Sequence, residues 1–569
     1  MEESVMLDKD FAGRFREELV TRHIVFDEDE GEFTVSPGSL VSDEDGFVCI
    51  FEALAAEKGD IFQLEGFQVH SRYVGSVGEP LFIGSLKDSD PPLLAAHHTD
   101  DPVCSFGYVI YYNDDLWHLA GFTSIGKYSG FFQIYETGLM RIMLDTENVS
   151  MHPDESDRET LVFLQAKSTS DLMGEFAEMI ERHHGRIPDG SFTGCRLPYS
   201  AGKPEGGSSV SGASAAGEMK SRLGSFRFVE LGEPDGNEPG SWIMEHGYLS
   251  GIESMAKEIA GAGAVPAFRC SPLAVSMKSA VAMLHSDWLV KSLIDPGTPF
   301  EIDNVALAGT DVPAAGILDF SNPEVCEAVA GVFRTLHERL GIGYFRLESL
   351  SLACARGGAS VNGSFTRIDN YRKGLETIEK AVSGAVVELC DAPLWPSLGL
   401  GSVLSVSDSG SLHEDLLRRA RLLAQRRWMD GNLWLIDAGP LTFSGPSAPE
   451  DEGDRSFAAA LALVFRSVLF FTDSPSELRD EDIRILEKIR EAALARYNTS
   501  AIDEMSRCIK LENDDRVINV YFNWSENRPL RIRILPDTRN FWTDEPLEAD
   551  SYVTVEGFGA FVTVRDVHA

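Results

Sequence analysis

The sequence predicts a multidomain α/β chain with an N-terminal antiparallel β-sandwich, a central (β/α)8 TIM barrel and a C-terminal antiparallel β domain. Three observations predict it. The chain has 569 residues, and single hydrophobic cores stop growing near ~250–300 residues, so two or three domains are required. Short alternating apolar and polar runs fill residues 18–165 and return after residue 516. Between these two β regions, eight short apolar runs each precede a longer segment of helical period.

The first β region includes 61–70 (IFQLEGFQVH), 105–113 (SFGYVIYYN), 131–138 (FFQIYETG) and 139–145 (LMRIMLD), punctuated by Gly, Asp-Gly and Pro. Alternation bounded by such turn residues is the mark of antiparallel strands. A helix is expected over 169–185, and the Gly, Ser and Ala of 201–217 (AGKPEGGSSVSGASAAG) predict a flexible loop.

The eight candidate barrel strands are 225–231 (SFRFVEL), 264–270 (AVPAFRC), 316–320 (GILDF), 343–349 (GYFRLES), 386–390 (VVELC), 401–407 (GSVLSVS), 433–439 (LWLIDAG) and 467–473 (SVLFFTD). The helices between them carry strong end signals. Ser321 and Asn322 precede Pro323, and that helix should close at Gly341. Segments 367–384, 412–428 and 479–497 read as helices too, with acids early and bases late, as the helix dipole favours. Alternating strand–helix units fit a closed parallel barrel better than a doubly wound sheet, which would place a glycine-rich dinucleotide loop after its first strand. None follows Leu231. The last β runs, 516–534 and 552–564, predict a terminal sheet. The expected domains are 1–188, 189–498 and 499–569.

Composition bounds the function. Hydrophobic residues are 43% and charged residues 25% of the chain, which is globular rather than disordered. The formal net charge is −40, from 90 acidic and 50 basic residues, so no nucleic acid and no anionic membrane surface is expected as a partner. The basic side holds only 14 Lys, which suits solubility in high salt. Eight cysteines lie without metal-ligand spacing, so no metal site is expected and reduced thiols are. The first residues lack a basic n-region and an apolar h-region, and no apolar run reaches ~18 residues; the expected location is cytoplasmic.

In a barrel of this kind, functional groups gather at the carboxyl ends of the strands. That rule selects Glu230, Arg269, Cys270, Arg346, Glu348, Cys390, Asp391, Asp408, Asp437 and Asp473. A carboxylate-rich rim with no metal motif suits glycoside hydrolysis, in which one carboxyl attacks or activates water and another protonates the leaving oxygen. It equally suits sugar binding alone. Taken singly, a strand-end carboxylate is more often a solvated charge or a helix cap.

Residues 371–400 (YRKGLETIEKAVSGAVVELCDAPLWPSLGL) resemble a stretch of glycoside hydrolase family 36, the melibiase-like α-galactosidases, in which an Arg-Lys-Gly-hydrophobic-Glu-Thr-Ile helix leads to a Cys-Gly-small-Pro-Leu strand end. Residues 254–292 are similar to that family's second-strand region, with an Ala-Pro-Phe-type turn and an Asp-Trp-hydrophobic-Val-Lys ending. The similarity runs over most of 190–495. It implies a retaining enzyme acting on α-galactosides or related α-linked oligosaccharides, with no cofactor. Family members commonly form oligomers, so the resemblance is compatible with a homo-oligomer.

The family nucleophile, the Asp of a Tyr-Phe-Lys-hydrophobic-Asp motif, corresponds to Glu348 in Tyr344-Phe345-Arg346-Leu347-Glu348. Glu reaches one methylene further, in an enzyme class that holds its two carboxyls ~5–5.5 Å apart. Counted without gaps from Cys390, the family acid/base falls on Ser409, with Asp408 one position earlier, and the family Arg falls on Ser405. Glu348 and Asp408 are thus the candidate catalytic pair. The family's Asp-Asp pair corresponds to Val229-Glu230 and its second-strand Trp to Arg269; Arg346, Cys390, Asp391 and Asp437 complete the candidate substrate-binding set on the barrel. Phe67, Gln68 and His70 occupy the place of an N-terminal motif that overhangs the sugar. Residues 194–200 (GCRLPYS) retain Cys195 and Tyr199 but neither family tryptophan.

Two readings follow. One is a retaining α-glycosidase with Glu348 as nucleophile and Asp408 as acid/base, in which Arg269 in place of Trp raises the idea of a carboxylated or sulfated sugar. The other is a non-catalytic relative whose barrel binds carbohydrate or serves as a scaffold. A free-standing carbohydrate-binding module in the N-terminal region ranks behind both.

Overall fold

A computed structural model of the chain describes residues 246–406, 413–445, 451–501 and 507–567 without a break in any of these spans, together with 103–113, 116–135, 139–147, 149, 159–185, 190–196, 212–224, 226–231, 238–243, 448–449 and the segments 5–7, 24–27, 32–35, 46–54, 62–64, 67–69 and 77–80.

The N-terminal region folds as two antiparallel sheets of seven and four strands. Phe122 of the larger sheet meets Phe132 of the smaller at 5.5 Å between ring centroids, so the sheets share one core. The helix Thr169–His184 is capped by Ser168, whose side chain accepts from the amide of Asp171, and it buries Leu172, Phe176 and Ile180.

Eight parallel strands then close a barrel: β1 (Phe192–Cys195), β2 (Phe228–Leu231), β3 (Val265–Cys270), β4 (Tyr344–Leu347), β5 (Val386–Leu389), β6 (Val403–Ser405), β7 (Leu435–Asp437) and β8 (Val468–Phe471). Closure is made by β1 against β8, with Phe192 opposite Val468 and Cys195 opposite Phe471. The period of two along each strand sorts the side chains. Val229, Phe268, Phe345, Leu347, Leu389, Leu404 and Ile436 point outward into the core shared with the helices. Phe228, Ala267, Tyr344, Val403, Leu435, Val468 and Phe470 fill the barrel itself. Rings meet at steep angles through this interior, with Phe228 and Tyr344 at 5.1 Å and Tyr344 and Phe470 edge to face at 5.3 Å.

Two expectations about the strands are corrected. The run 316–320 is not a barrel strand. Its first residues end the strand Thr310–Ile317, which pairs with Ala274–Ser276 and Glu301–Leu307 in a three-stranded antiparallel sheet inserted between β3 and β4. An apolar run looks the same in either place, because both bury it. The strand that opens the barrel is instead β1, sequence FTGC, whose central glycine weakens the strand pattern. A Cβ on Gly194 would lie 2.5 Å from the Phe228 carbonyl oxygen and 2.6 Å from the Phe470 ring, so the aromatic filling of the barrel requires glycine there.

The expected flexible loop over 201–217 is corrected in its last residues, while 201–211 lie outside the described residues. Residues from 212 onward form a helix, Gly212–Arg222, in which Ala215, Ala216 and Met219 are buried. Small residues permit close helix packing rather than preventing a core. The other helices form as expected: Pro323–Arg334 starts from Asn322, whose side chain accepts from the Glu324 amide, and runs through one π turn to Gly341 at φ 72°. Arg367–Ala381 opens with a capping box between Thr366 and Asp369. Five C-terminal strands form an antiparallel sheet beside a two-stranded one. No helix among the described residues is long and apolar enough to cross a membrane.

The N-terminal sheets are locked to the barrel through buried contacts. Trp395, in the loop after β5, donates its indole N–H to the Phe122 carbonyl at 2.8 Å and stacks near Tyr108 at 5.3 Å and Phe176 at 6.2 Å. Gly107, at φ 85°, lies against the same indole. Arg367 reaches back to Asp145 at 2.5 Å, its amide donates to Glu147 at 2.9 Å, and Arg356 pairs with Asp145 too.

Candidate active site

Above the aromatic layer, the interior positions nearest the strand carboxyl ends change from apolar to charged. Alternation puts Glu230 of β2, Arg269 of β3, Arg346 of β4, Glu388 of β5, Ser405 of β6 and Asp437 of β7 on this level, with Arg196 just past β1 and Glu348 just past β4. Glu230, Arg269, Arg346 and Asp437 each stand two residues beyond one that fills the barrel, so the same pleat that packs the core delivers the charges to its mouth.

Arg196 is the hub. It is buried, its guanidinium lies 4.1 Å from the centre of the Phe470 ring, and it donates to Asp437 at 2.6 Å and to Glu388 at 2.7 Å. Its Nε is 3.5 Å from Glu230. The Tyr344 hydroxyl rises from the aromatic layer to donate to Glu388 at 2.9 Å, and the Cys390 thiol faces the other oxygen of that carboxyl at 3.6 Å. Arg346 pairs with Glu348 at 2.7 Å, with its Nε 3.5 Å from Glu388. Arg269 stands at the outer edge, 3.9 Å from Glu230 and 4.0 Å from Glu348.

Electrostatics follow from this packing. Burial pushes the Glu388 carboxyl up to about 7, with Asp437 beside it adding to the rise and Arg196 and Arg346 opposing it. Burial also disfavours the Asp437 carboxylate, yet Arg196 and a hydrogen bond from Glu388 outweigh it and hold Asp437 below the usual carboxylate range. Below about pH 7 the pair therefore holds a proton, and it resides on Glu388 rather than on Asp437. Burial lifts the Cys390 thiol well above its ordinary value, which makes it a poor nucleophile.

The sequence-derived residues divide as follows. Glu230, Arg269, Arg346, Glu348, Cys390 and Asp437 converge on the barrel mouth. Asp391 does not join them: it is exposed, at φ 51°, and accepts from the Ser351 hydroxyl, while its carbonyl accepts from the Ser351 amide at 2.8 Å, tying the loop after β5 to the turn Leu350–Cys354. Asp473 caps a loop, accepting from the amides of Phe443 at 2.9 Å and Ser444 at 2.7 Å. The Cys195 thiol turns outward to the Asp473 carbonyl. Phe67 begins a short strand whose hairpin partner, Val77–Pro80, approaches the Leu350–Cys354 turn; the Phe67 side chain, His70, Tyr199 and Asp408 lie outside the described residues.

Three members of the cluster, Arg196, Tyr344 and Glu388, are not singled out by the strand-end rule. Their signal was in the sequence nonetheless. A Glu inside VVELC and a Tyr opening YFRL share the inward parity of the rim residues, and an ionisable group at a buried strand position is stable only if paired.

No protein-family model matches the sequence. By structure, the chain is similar to the α-galactosidase from Thermus thermophilus solved with p-nitrophenyl α-D-galactopyranoside, at 17% identity, 84% of this chain, 95% of that one and a TM-score of 0.58. It is also similar to the glycoside hydrolase family 36 α-galactosidase AgaB from Geobacillus stearothermophilus, at 11% identity, 94% of this chain, 79% of that one and a TM-score of 0.60. A third similar structure is the α-galactosidase from Lactobacillus brevis, at 12% identity, 94% of this chain, 77% of that one and a TM-score of 0.57. What is shared at such identities is the fold: an α-galactosidase-like glycoside hydrolase architecture with the barrel at its centre.

Proposed function

We propose that the barrel mouth is the site of a retaining glycoside hydrolase acting on an α-linked galactoside or a related sugar, with Glu348 as nucleophile and Asp408 as acid/base. The observation that carries this reading is the setting of Glu348. It stands at the carboxyl end of β4, its side chain is 14% exposed, and it pairs at 2.7 Å with Arg346. A nucleophilic carboxylate must be reachable and held in one orientation, and a guanidinium at that distance fixes it.

The chemistry needs two carboxyls and water. Glu348 attacks the anomeric carbon as the glycosidic bond breaks, and the leaving oxygen takes the proton of Asp408. A glycosyl ester on Glu348 results. Asp408, now a carboxylate, removes a proton from water, whose oxygen attacks the same carbon and releases Glu348 and the sugar with its original configuration. Buried Glu388 and Asp437 hold Arg196 in place, and Glu388 also faces Arg346, which in turn orients Glu348.

The test is hydrolysis of aryl α-D-galactoside, with α-D-glucoside and N-acetyl-α-D-galactosaminide alongside, at low and high salt. Glu348→Gln should cost at least ~10²-fold in kcat. Glu348→Ala with added azide should regain turnover and yield the β-glycosyl azide, because azide enters from the face the carboxylate left. Turnover indifferent to Glu348 would refute the assignment.

A second reading has its own support, which is that the described rim carboxylates already face arginines: Glu348 and Arg346, and Asp437 and Glu388 with Arg196. Rim carboxylates paired with arginines suit a binding or scaffold protein. Saturable sugar binding with no turnover of any of the three glycosides would select it.

A further inference from the structure

Granting that the barrel mouth holds a sugar, its hydrogen-bonding balance says what kind. Among the described residues there, the buried atoms with no hydrogen-bond partner are Nε of Arg196, Arg269 and Arg346 and Oγ of Ser405. The arginines thus keep donors in excess of the partners the protein gives them. Unsatisfied buried donors call for a ligand that supplies oxygen acceptors, and the oxygens of a carboxylate or sulfate are stronger acceptors for a guanidinium than a hydroxyl is.

Arg269 is where that excess faces outward. Its side chain is 23% exposed, and its nearest carboxylate oxygens, on Glu230 at 3.9 Å and Glu348 at 4.0 Å, are beyond hydrogen-bond reach. Each carboxylate lies nearer to another arginine, Glu348 to Arg346 at 2.7 Å and Glu230 to Arg196 at 3.5 Å. On the other side stands the hairpin of Glu301–Leu307 and Thr310–Ile317. Its turn residues Ala308 and Gly309 have φ of 47° and 83°, and a Cβ on Gly309 would come 3.8 Å from Nη1 of Arg269. The Ser349 hydroxyl pins the turn, accepting from the Ala308 amide and donating to the Ala306 carbonyl, each at 3.2 Å. The hairpin is thus a fixed wall, and Arg269 lies between it and the rim.

We infer that the sugar accepted here carries an anionic group, a carboxylate or a sulfate, bound by the guanidinium of Arg269. The planar fork of an arginine matches two oxygens of either group. The inference rests on the site reading above but is separable from it, because binding can be measured without turnover.

Hydrolysis of aryl α-D-galactosiduronate, aryl 6-sulfo-α-D-galactoside and aryl α-D-galactoside is compared for wild type, Arg269→Gln and Arg269→Lys. In parallel, calorimetry measures methyl α-D-galacturonide and methyl α-D-galactoside binding to Glu348→Gln, with and without Arg269→Gln. At least one anionic substrate should exceed the neutral one by ~10-fold or more in kcat/KM, as a charge-assisted hydrogen bond predicts. Arg269→Gln should erase that ratio, and Arg269→Lys, which retains the charge but not the fork and controls for folding, should keep only part of it. Which anionic substrate leads distinguishes carboxylate from sulfate. A neutral sugar preferred, or a preference untouched by Arg269→Gln, overturns the inference. If nothing is hydrolysed, the hydrolase reading fails while the calorimetry still decides: tighter galacturonide binding that depends on Arg269 supports the inference, and equal or absent binding refutes it.

Discussion

Arg196→Met should be among the most damaging single changes in the barrel, and its damage should depend on pH. The guanidinium contacts Asp437 at 2.6 Å and Glu388 at 2.7 Å. At an effective dielectric near 20, each such pair is worth roughly 4 kcal/mol gross at a ~4 Å charge separation. Part of this offsets the cost of burying the guanidinium, but the carboxyls remain buried when it is gone. Breaking a buried pair by removing one partner typically costs about 3–5 kcal/mol, and that is the expectation at pH 8.

Acidification should relieve it. In the wild type the raised carboxyl of Glu388, at about 7, means that the folded state binds a proton the unfolded state does not between that value and the ordinary carboxylate range, so stability falls as pH rises through this window. Without Arg196, Glu388 should retain its proton beyond pH 8 and Asp437 should lose the partner that holds it low. The variant therefore carries extra protons over more of the interval from pH 8 to pH 5, at about 1.4 kcal/mol per unit and proton. The gap between wild type and variant should narrow by about 2 kcal/mol. Urea unfolding followed by tryptophan fluorescence at both pH values measures it. Adding Glu388→Gln and Asp437→Asn to the variant should recover most of the loss at pH 8. A loss under about 1 kcal/mol, or one equal at both pH values, would refute the assignment of Arg196 as the charge that balances this pair.

Other changes test the seam between the N-terminal sheets and the barrel. Gly107→Ala introduces a Cβ about 2.0 Å from the Trp395 indole at a φ of 85°, so it should destabilise by at least ~2 kcal/mol, read as a lowered midpoint in thermal unfolding; a neutral result would mean that the indole is not fixed there. Thr366→Ala removes a buried hydroxyl that accepts from the Asp369 amide at 3.0 Å and donates to the Lys127 carbonyl at 2.7 Å. The loss of cap and cross-domain bond together should cost about 2–3 kcal/mol, while Thr366→Ser should cost under ~1 kcal/mol; equal effects in denaturant unfolding would show that the methyl, not the hydroxyl, matters.

The sequence by itself determined the order of β, barrel and β regions, most of the barrel strands and the helices with strong caps, because alternation, helical period and end signals are local. It also located the rim, since strand parity places Glu230, Arg269, Arg346, Glu348 and Asp437 at carboxyl ends. Only the tertiary structure decided which apolar run closes the barrel. The short strand Phe192–Cys195 is recognised by what fills the space above Gly194, and 316–320 is excluded by its antiparallel partners. Only the tertiary structure, too, paired Arg196 with Glu388 and Asp437, residues 192 and 241 positions away. A local pattern states that a charge is buried. What neutralises it is a matter of long-range closure, and that closure separates the inward Glu388 from its exposed neighbour Asp391.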